Sequence, residues 1–199
     1  ARARDVVRKP ERLTFAQAAS MPIVFLTADE ALRGIAAGDR VLIHAASGGV
    51  GLAAVQIALR AGAEVFATAG SEAKRDVLRA LGVRHVANSR TTDFEHEMHD
   101  IDRAIGAVTG DLVRATLMTL RPGGIYVDIA RHGAWTADEV HALRPDVDDR
   151  RLALDERMRD GAIDTRARLD ELLGTLEPPP LQSYPIASIA DAFDRMKSA

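Results

Sequence analysis

The chain has 199 residues, enough for one domain or slightly more and for a sizeable core without covalent staples. With 47% hydrophobic and 28% charged residues it has globular composition, and a net charge of −3 with 4% aromatics argues against a polyanion-binding or base-stacking surface. The absence of cysteine excludes disulfides, a thiolate nucleophile and a cysteine zinc site; no apolar run reaches membrane-span length and no signal peptide opens the chain.

Thr14 and Gln17 have capping-box spacing and open a helical stretch to about Leu32, broken near Pro22. Gly38-Asp39 makes a turn, and residues 40–45 read as a buried strand. Gly48-Gly49-Val50-Gly51 follows, then a helix over 52–60 with Gly62 at its C-cap. A second strand spans 64–69, a helix 72–81 closes at Gly82, and a short third strand spans 84–87. A helix over 92–99, a less apolar strand over 101–105 and a helix over 111–120 come next. Arg121-Pro122-Gly123-Gly124 turns into a fifth strand at 125–129. The polar stretch 132–149 holds a short helix after Thr136, and 151–154 is the candidate sixth strand. A helix over 164–176, a stiff Pro178-Pro179-Pro180 connector and a last helix over 189–196 complete the chain. The alternation predicts an α/β protein, a Rossmann-type doubly wound parallel sheet of about six strands in the order 3-2-1-4-5-6.

Ala46-x-Gly48-x-x-Gly51 fits the dinucleotide fingerprint with alanine in the first glycine place. The motif lies between an expected strand and an expected helix, where a tight turn lets the backbone approach a pyrophosphate. Ala46, Ser47, Gly48, Gly49, Val50 and Gly51 are therefore the candidate pyrophosphate residues. An NAD site places an acid at the end of the second strand; here Ala67-Thr68-Ala69-Gly70-Ser71 stands there instead. Thr68, Gly70, Ser71, Lys74 and Arg75 are the candidates for a 2′-phosphate, so the expected cofactor is NADPH. Only three of the 26 basic residues are lysines (Lys9, Lys74, Lys197). A solvated helix face is the competing reading of Lys74 and Arg75. Ser89 and Arg90 extend the site toward the adenine end. His96 and His99 lack zinc-ligand spacing, and Ser47 lacks a nucleophile-elbow context, so neither a metal nor a hydrolase is expected. His44 reads as a hydrogen-bonded strand histidine beside the turn, and Trp135 as a packed surface residue or a substrate-side one.

The segments His44-Ala45-Ala46-Ser47-Gly48-Gly49-Val50-Gly51, Lys9-Pro10-Glu11, Phe25-Leu26-Thr27-Ala28, Asn88-Ser89-Arg90, Leu120-Arg121-Pro122-Gly123-Gly124 and Ala192-Phe193 carry a resemblance. The chain resembles the zinc-free medium-chain dehydrogenase/reductase superfamily, and more narrowly the enoylreductase domain of type I polyketide synthases and animal-type fatty acid synthases. Its phrasing is most similar to mycobacterial-type synthases. The resemblance implies reduction of an α,β-unsaturated thioester on an acyl carrier protein: NADPH gives hydride to the β-carbon and a proton goes to the α-carbon. It implies neighbouring synthase domains, a cytoplasmic setting, no nucleic acid, no membrane, and a homodimer paired through the nucleotide-binding sheet. It divides the chain into a helical lead-in, 1–36, and an NADPH-binding Rossmann domain, 37–199, cut before its closing strand. The GroES-like catalytic subdomain is expected to be absent, leaving the fragment weak or inactive alone. A stand-alone quinone oxidoreductase-like reductase and a degenerate nucleotide-binding or scaffold module remain open alternatives.

Three places depart from the family pattern. Gly106-Ala107-Val108 replaces Asn or Asp, Ser and Leu near the nicotinamide, where Ala107 and Val108 are the candidate contacts. Arg131 stands where the resemblance places a proton-donating lysine; arginine stays protonated, so it suits enolate stabilisation instead. A second donor falls on Asp155. A surface ion pair between Arg131 and Asp155 is the competing reading. Asp29 replaces a common aromatic.

Overall fold

The structure, a computed structural model, describes residues 5–197; the first four residues of the expected lead-in and the last two of the expected Rossmann segment lie outside the described residues. Helix α1 (Phe15–Ser20) starts with the capping box, Thr14 accepting the Gln17 N–H and Gln17 the Thr14 N–H. Helix α2 (Pro22–Ala31) begins with proline in its first turn, where the missing N–H costs nothing. The alternating part follows as β1 (Arg40–Ile43), α3 (Gly49–Arg60), β2 (Glu64–Ala69), α4 (Glu72–Ala80), β3 (His85–Asn88), α5 (Phe94–Glu97), β4 (Ile101–Gly106), α6 (Asp111–Thr119), β5 (Leu120–Asp128), α7 (Ala137–Leu143) and β6 (Asp148–Arg151). Helices α8 (Leu154–Arg159), α9 (Thr165–Thr175) and α10 (Ile189–Lys197) close the described chain, the last preceded by a 3-10 turn at Ile186–Ser188.

All five strand pairings are parallel and the order is β3-β2-β1-β4-β5-β6, as expected. Strand alternation sorts the side chains into two cores. Val41 and Ile43 of β1 face a core shared with α2, α3, α8 and α9, whereas Leu42 faces one built with Phe94 of α5, Val113 and Leu117 of α6, and Val140 of α7. The lead-in helix α2 therefore packs into the same core as the sheet, through the fully buried Phe25 and Leu26.

Most boundaries fall within two residues of expectation, and the informative differences are these. Helix α3 begins at Gly49, so the last glycines of the fingerprint are helical. The expected helix over 92–99 contracts to four residues, and Asp100 turns the chain into β4 at φ 54°. Strand β5 already begins at Leu120, and the pairing slips between Ile101 and Arg103, with Gly123 at φ 73°. The sixth strand lies at Asp148–Arg151, three residues earlier than its apolar signal. Its side chains are all charged, and it is defined by pairing with Ile125–Asp128. Leu154, read as a strand residue, instead opens α8 and is buried.

Asp29 acquires a physical account. Its carboxylate pairs with Arg168 of α9, Nε lying 2.9 Å from Oδ2. Beside it, the Glu30 carboxylate, only 1% exposed, binds Arg157 of α8 at 2.9 Å and also Arg33. Two acids at the end of α2 thus hold the helices that follow the sheet, and an aromatic at 29 would remove one of them.

Candidate functional site: the crevice at the carboxyl ends of the strands

The order of the strands reverses between β1 and β4, which places a crevice at their carboxyl ends. The His44 N–H donates to Ile105 at 2.9 Å, the Ala46 N–H to the Thr68 carbonyl at 3.0 Å, and the Gly48 N–H to the Ala45 carbonyl at 2.9 Å. Between these bonds Ala45 takes φ 46°, a left-handed conformation uncommon for a residue with a side chain. Gly48 is the N-cap of α3 and has no side chain with which to cap it. The first-turn N–H groups of α3 are therefore left for an anion. Gly51 is fixed by contact: a Cβ there would stand 2.5 Å from the Ala46 Cα. Helix and strand approach more closely than any other residue allows, and the residues present fit a dinucleotide pyrophosphate.

At the end of β2, Ser71 caps α4 by accepting the Lys74 N–H at 3.4 Å. A Cβ on Gly70 would lie 3.2 Å from Arg90 Nε and 3.4 Å from Ser89 Oγ, so Gly70, Ser71, Ser89 and Arg90 come together. Lys74 lies half-buried on the first turn of α4. Two expected contacts are placed otherwise. The Arg75 guanidinium is engaged by Glu72, at 2.5 and 3.0 Å, and by the Ala69 carbonyl at 3.1 Å. Arg79 and Arg75 in turn hold the Glu72 carboxyl below the usual carboxylate range. Thr68 is fully buried and its hydroxyl lies 3.0 Å from His44 Nδ1, so it faces the interior and not the cofactor groove.

His44 was the less obvious residue. It is 5% exposed, with Nδ1 on Thr68 and Nε2 2.8 Å from the Thr116 hydroxyl of α6. Burial pulls its pKa down to about 4. Gly106 packs against the same residue: a Cβ there would stand 2.9 Å from the His44 Cβ and 3.1 Å from its Cδ2. Ala107 is exposed beyond it, and Val108 packs against the α6-side core.

A cleft of about 520 Å³ opens on the other side of the glycine turn, between Val50, Ile23 of α2, Ile129 and Met158. Arg131 and Asp155 both line it, with Arg131 Nη2 3.8 Å from Asp155 Oδ1. Their side chains are 81% and 55% exposed, so this is a loose, solvent-screened pair. The structure thus brings the two residues together beside the turn and also realises the ion-pair reading. Asp128, missed in the sequence, is 3% exposed at the end of β5 and accepts the Ala130 N–H at 2.7 Å, which shapes the turn into Arg131. Burial pushes its carboxyl up, against the pull of the Ala130 N–H and Arg151. The alternation of β5 is the signal that could have found it.

Residues 49–155 match the zinc-binding dehydrogenase family. In three dimensions the whole chain overlays on the CurK enoyl reductase with a TM-score of 0.94 and 38% identity, covering 64% of that chain. It covers 92% of the nucleotide-binding subdomain of the PpsC enoylreductase from Mycobacterium tuberculosis, with a TM-score of 0.68 over 77% of this chain and 31% identity. The chain belongs to the enoyl reductase family of polyketide synthases.

As a polyketide-synthase enoyl reductase domain it has sequence kin outside the mycobacterial type: it is 41% identical to the polyketide synthase GfsB of Streptomyces halstedii over 98% of its length, but spans 4% of that protein. The PpsC enoylreductase domain has a nucleotide-binding subdomain, and the sheet described here corresponds to that subdomain. The zinc of the matched family's name finds no ligand set. The sequence has no cysteine, and among the described residues no group of three or more His, Asp or Glu is placed to hold a metal. No helix among them is long and apolar enough to cross a membrane.

Proposed function

We propose that this enoyl reductase domain binds NADPH and serves the reduction of α,β-unsaturated acyl thioesters carried on an acyl carrier protein, in polyketide or fatty acid synthesis. The observation that carries the cofactor choice is the end of β2. There Gly70, Ser71, Ser89 and Arg90 converge, Lys74 lies one turn on, and no acid stands at residues 67–71 to meet a ribose 2′-OH, the carboxylate of the following Glu72 being taken by Arg75 and Arg79. A guanidinium and hydroxyls at that point favour a 2′-phosphate. The bound nicotinamide would supply the hydride chemistry. The chain's own residues orient it: within the 46–51 turn the first-turn N–H groups of α3, those of Gly49, Val50 and Gly51, hold the pyrophosphate, since the Ala46 and Gly48 N–H groups are taken by the Thr68 and Ala45 carbonyls, and Ala107 and Val108 border the nicotinamide end. Arg131 stabilises charge on the thioester oxygen, and Asp155, beside it at the cleft, is the candidate proton donor.

In this reading residues 1–36 are a lead-in from the catalytic subdomain and 37–199 the NADPH-binding domain, working beside neighbouring synthase domains in the cytoplasm, with pairing of two copies through the sheet. Because the chain spans 64% of the CurK chain, it is expected to bind cofactor better than it reduces enoyl thioesters alone. The test is Lys74→Ala titrated with both cofactors. NADPH affinity should fall about tenfold with NADH little changed; equal loss for both, or none, removes the 2′-phosphate assignment.

A further inference from the structure

Thr68 touches the chain on both sides of the left-handed Ala45. Its carbonyl accepts the Ala46 N–H at 3.0 Å, and its hydroxyl lies 3.0 Å from Nδ1 of His44. The direction of the second bond follows from the rest of the network. The Thr116 hydroxyl donates to the Leu112 carbonyl at 2.6 Å, so its oxygen is the acceptor for His44 Nε2–H at 2.8 Å. Burial keeps the ring neutral, so with the proton on Nε2 the lone pair is on Nδ1 and the Thr68 hydroxyl donates to it.

The imidazole therefore joins β1 to β2 and to α6, and Gly106 at the end of β4 leaves it room. These are the elements that bound the crevice where the strand order reverses. A non-glycine residue at positive φ persists only where its surroundings over-determine it. Here they do, through Thr68 and His44, immediately before the N–H groups that open α3.

We infer that His44, clamped between Thr68 and Thr116, is a positioning residue for dinucleotide binding: it holds Ala45 in its left-handed conformation and so aims the glycine turn at the pyrophosphate. The inference rests on the cofactor reading above. It reassigns Thr68 from a cofactor contact to the residue that braces the turn from behind.

The test titrates the 199-residue chain, its Thr68→Val and Thr116→Val variants, and the conservative Thr68→Ser and Thr116→Ser variants with NADPH and with NADH. The melting temperature of each is measured without cofactor. Each valine variant should weaken both cofactors by about tenfold, because the pyrophosphate is common to both, and each serine variant should retain wild-type affinity. This pattern differs from that of Lys74→Ala, which discriminates between the cofactors. If Thr68→Val does not fold, Thr116→Val carries the test, since it leaves β2 untouched. Folded valine variants that melt earlier yet bind both cofactors as tightly as wild type would overturn the inference and make the network a core contact only. A wild-type chain without saturable binding would instead fail the cofactor reading itself, and the inference with it.

Discussion

A Cβ on Gly51 would stand 2.5 Å from the Cα of Ala46, closer than non-bonded carbons come. The obstacle is backbone, so it cannot rotate away. Gly51→Ala must push α3 off the end of β1, with an expected cost of about 2 kcal/mol or more. Chemical denaturation should show that loss, and cofactor titration of the folded fraction should show weaker binding than wild type. Unchanged stability and affinity would mean that helix and strand are not this close.

The two arginines near Gly70, Arg75 of α4 and Arg90 after β3, should behave differently. Arg90 lies over Gly70, whereas Arg75 is engaged by Glu72 and the Ala69 carbonyl. Arg90→Ala is expected to cost about tenfold in NADPH affinity and little in NADH affinity. Arg75→Ala is expected to leave the ratio of the two near wild type. Parallel titrations of both variants check this.

The buried histidine sets a pH dependence with a definite sign. His44 titrates at about 4 in the folded chain, below its ordinary 6.5. Between those values the unfolded chain binds the extra proton and the folded chain does not. Stability from this group is therefore complete above pH 6.5, is lost as pH falls toward 4, and amounts to about 3 kcal/mol. Asp128 and Asp149, whose carboxyls burial pushes up, act in the opposite direction. The comparison that isolates the histidine is wild type against His44→Gln: the wild-type urea midpoint minus that of the variant should be more positive at pH 7 than at pH 4.5.

The ion pairs that anchor α8 should be worth more than surface pairs. Arg157→Ala leaves the Glu30 carboxylate, 1% exposed, with Arg33 as its remaining cation. A loss of about 2 kcal/mol is expected, below the full cost of an uncompensated buried charge because Arg33 stays. Arg159→Ala, whose pairing with Asp155 at 3.7 Å is exposed on both sides, should cost less than about 0.5 kcal/mol. Denaturation midpoints of the two variants make the comparison.

The first strands and the glycine turn are plain in the sequence because β1 and β2 are buried on both faces and read as apolar runs bounded by glycine. The sixth strand is not, because an edge strand of Asp148, Asp149, Arg150 and Arg151 exists by pairing with β5 and carries no apolar pattern. Lys74, Ser71 and Arg90 could be named from local spacing, since they flank strand ends. The roles of Thr68, Arg75 and Asp29 depend on partners chosen by packing. Thr68 meets a ring 24 positions earlier, Arg75 an acid on its own helix, and Asp29 an arginine 139 positions later. Nothing in the local sequence specifies the choices of Thr68 and Asp29, whereas the i,i+3 spacing of Glu72 and Arg75 is a local signal for their pairing.

The central claim is tested most directly by calorimetric titration of the 199-residue chain with NADPH and NADH under the same buffer and salt. Saturable binding of one NADPH per chain, at least about tenfold tighter than NADH, is the predicted result. No saturable binding of either cofactor, or NADH binding as tightly as NADPH, would contradict it.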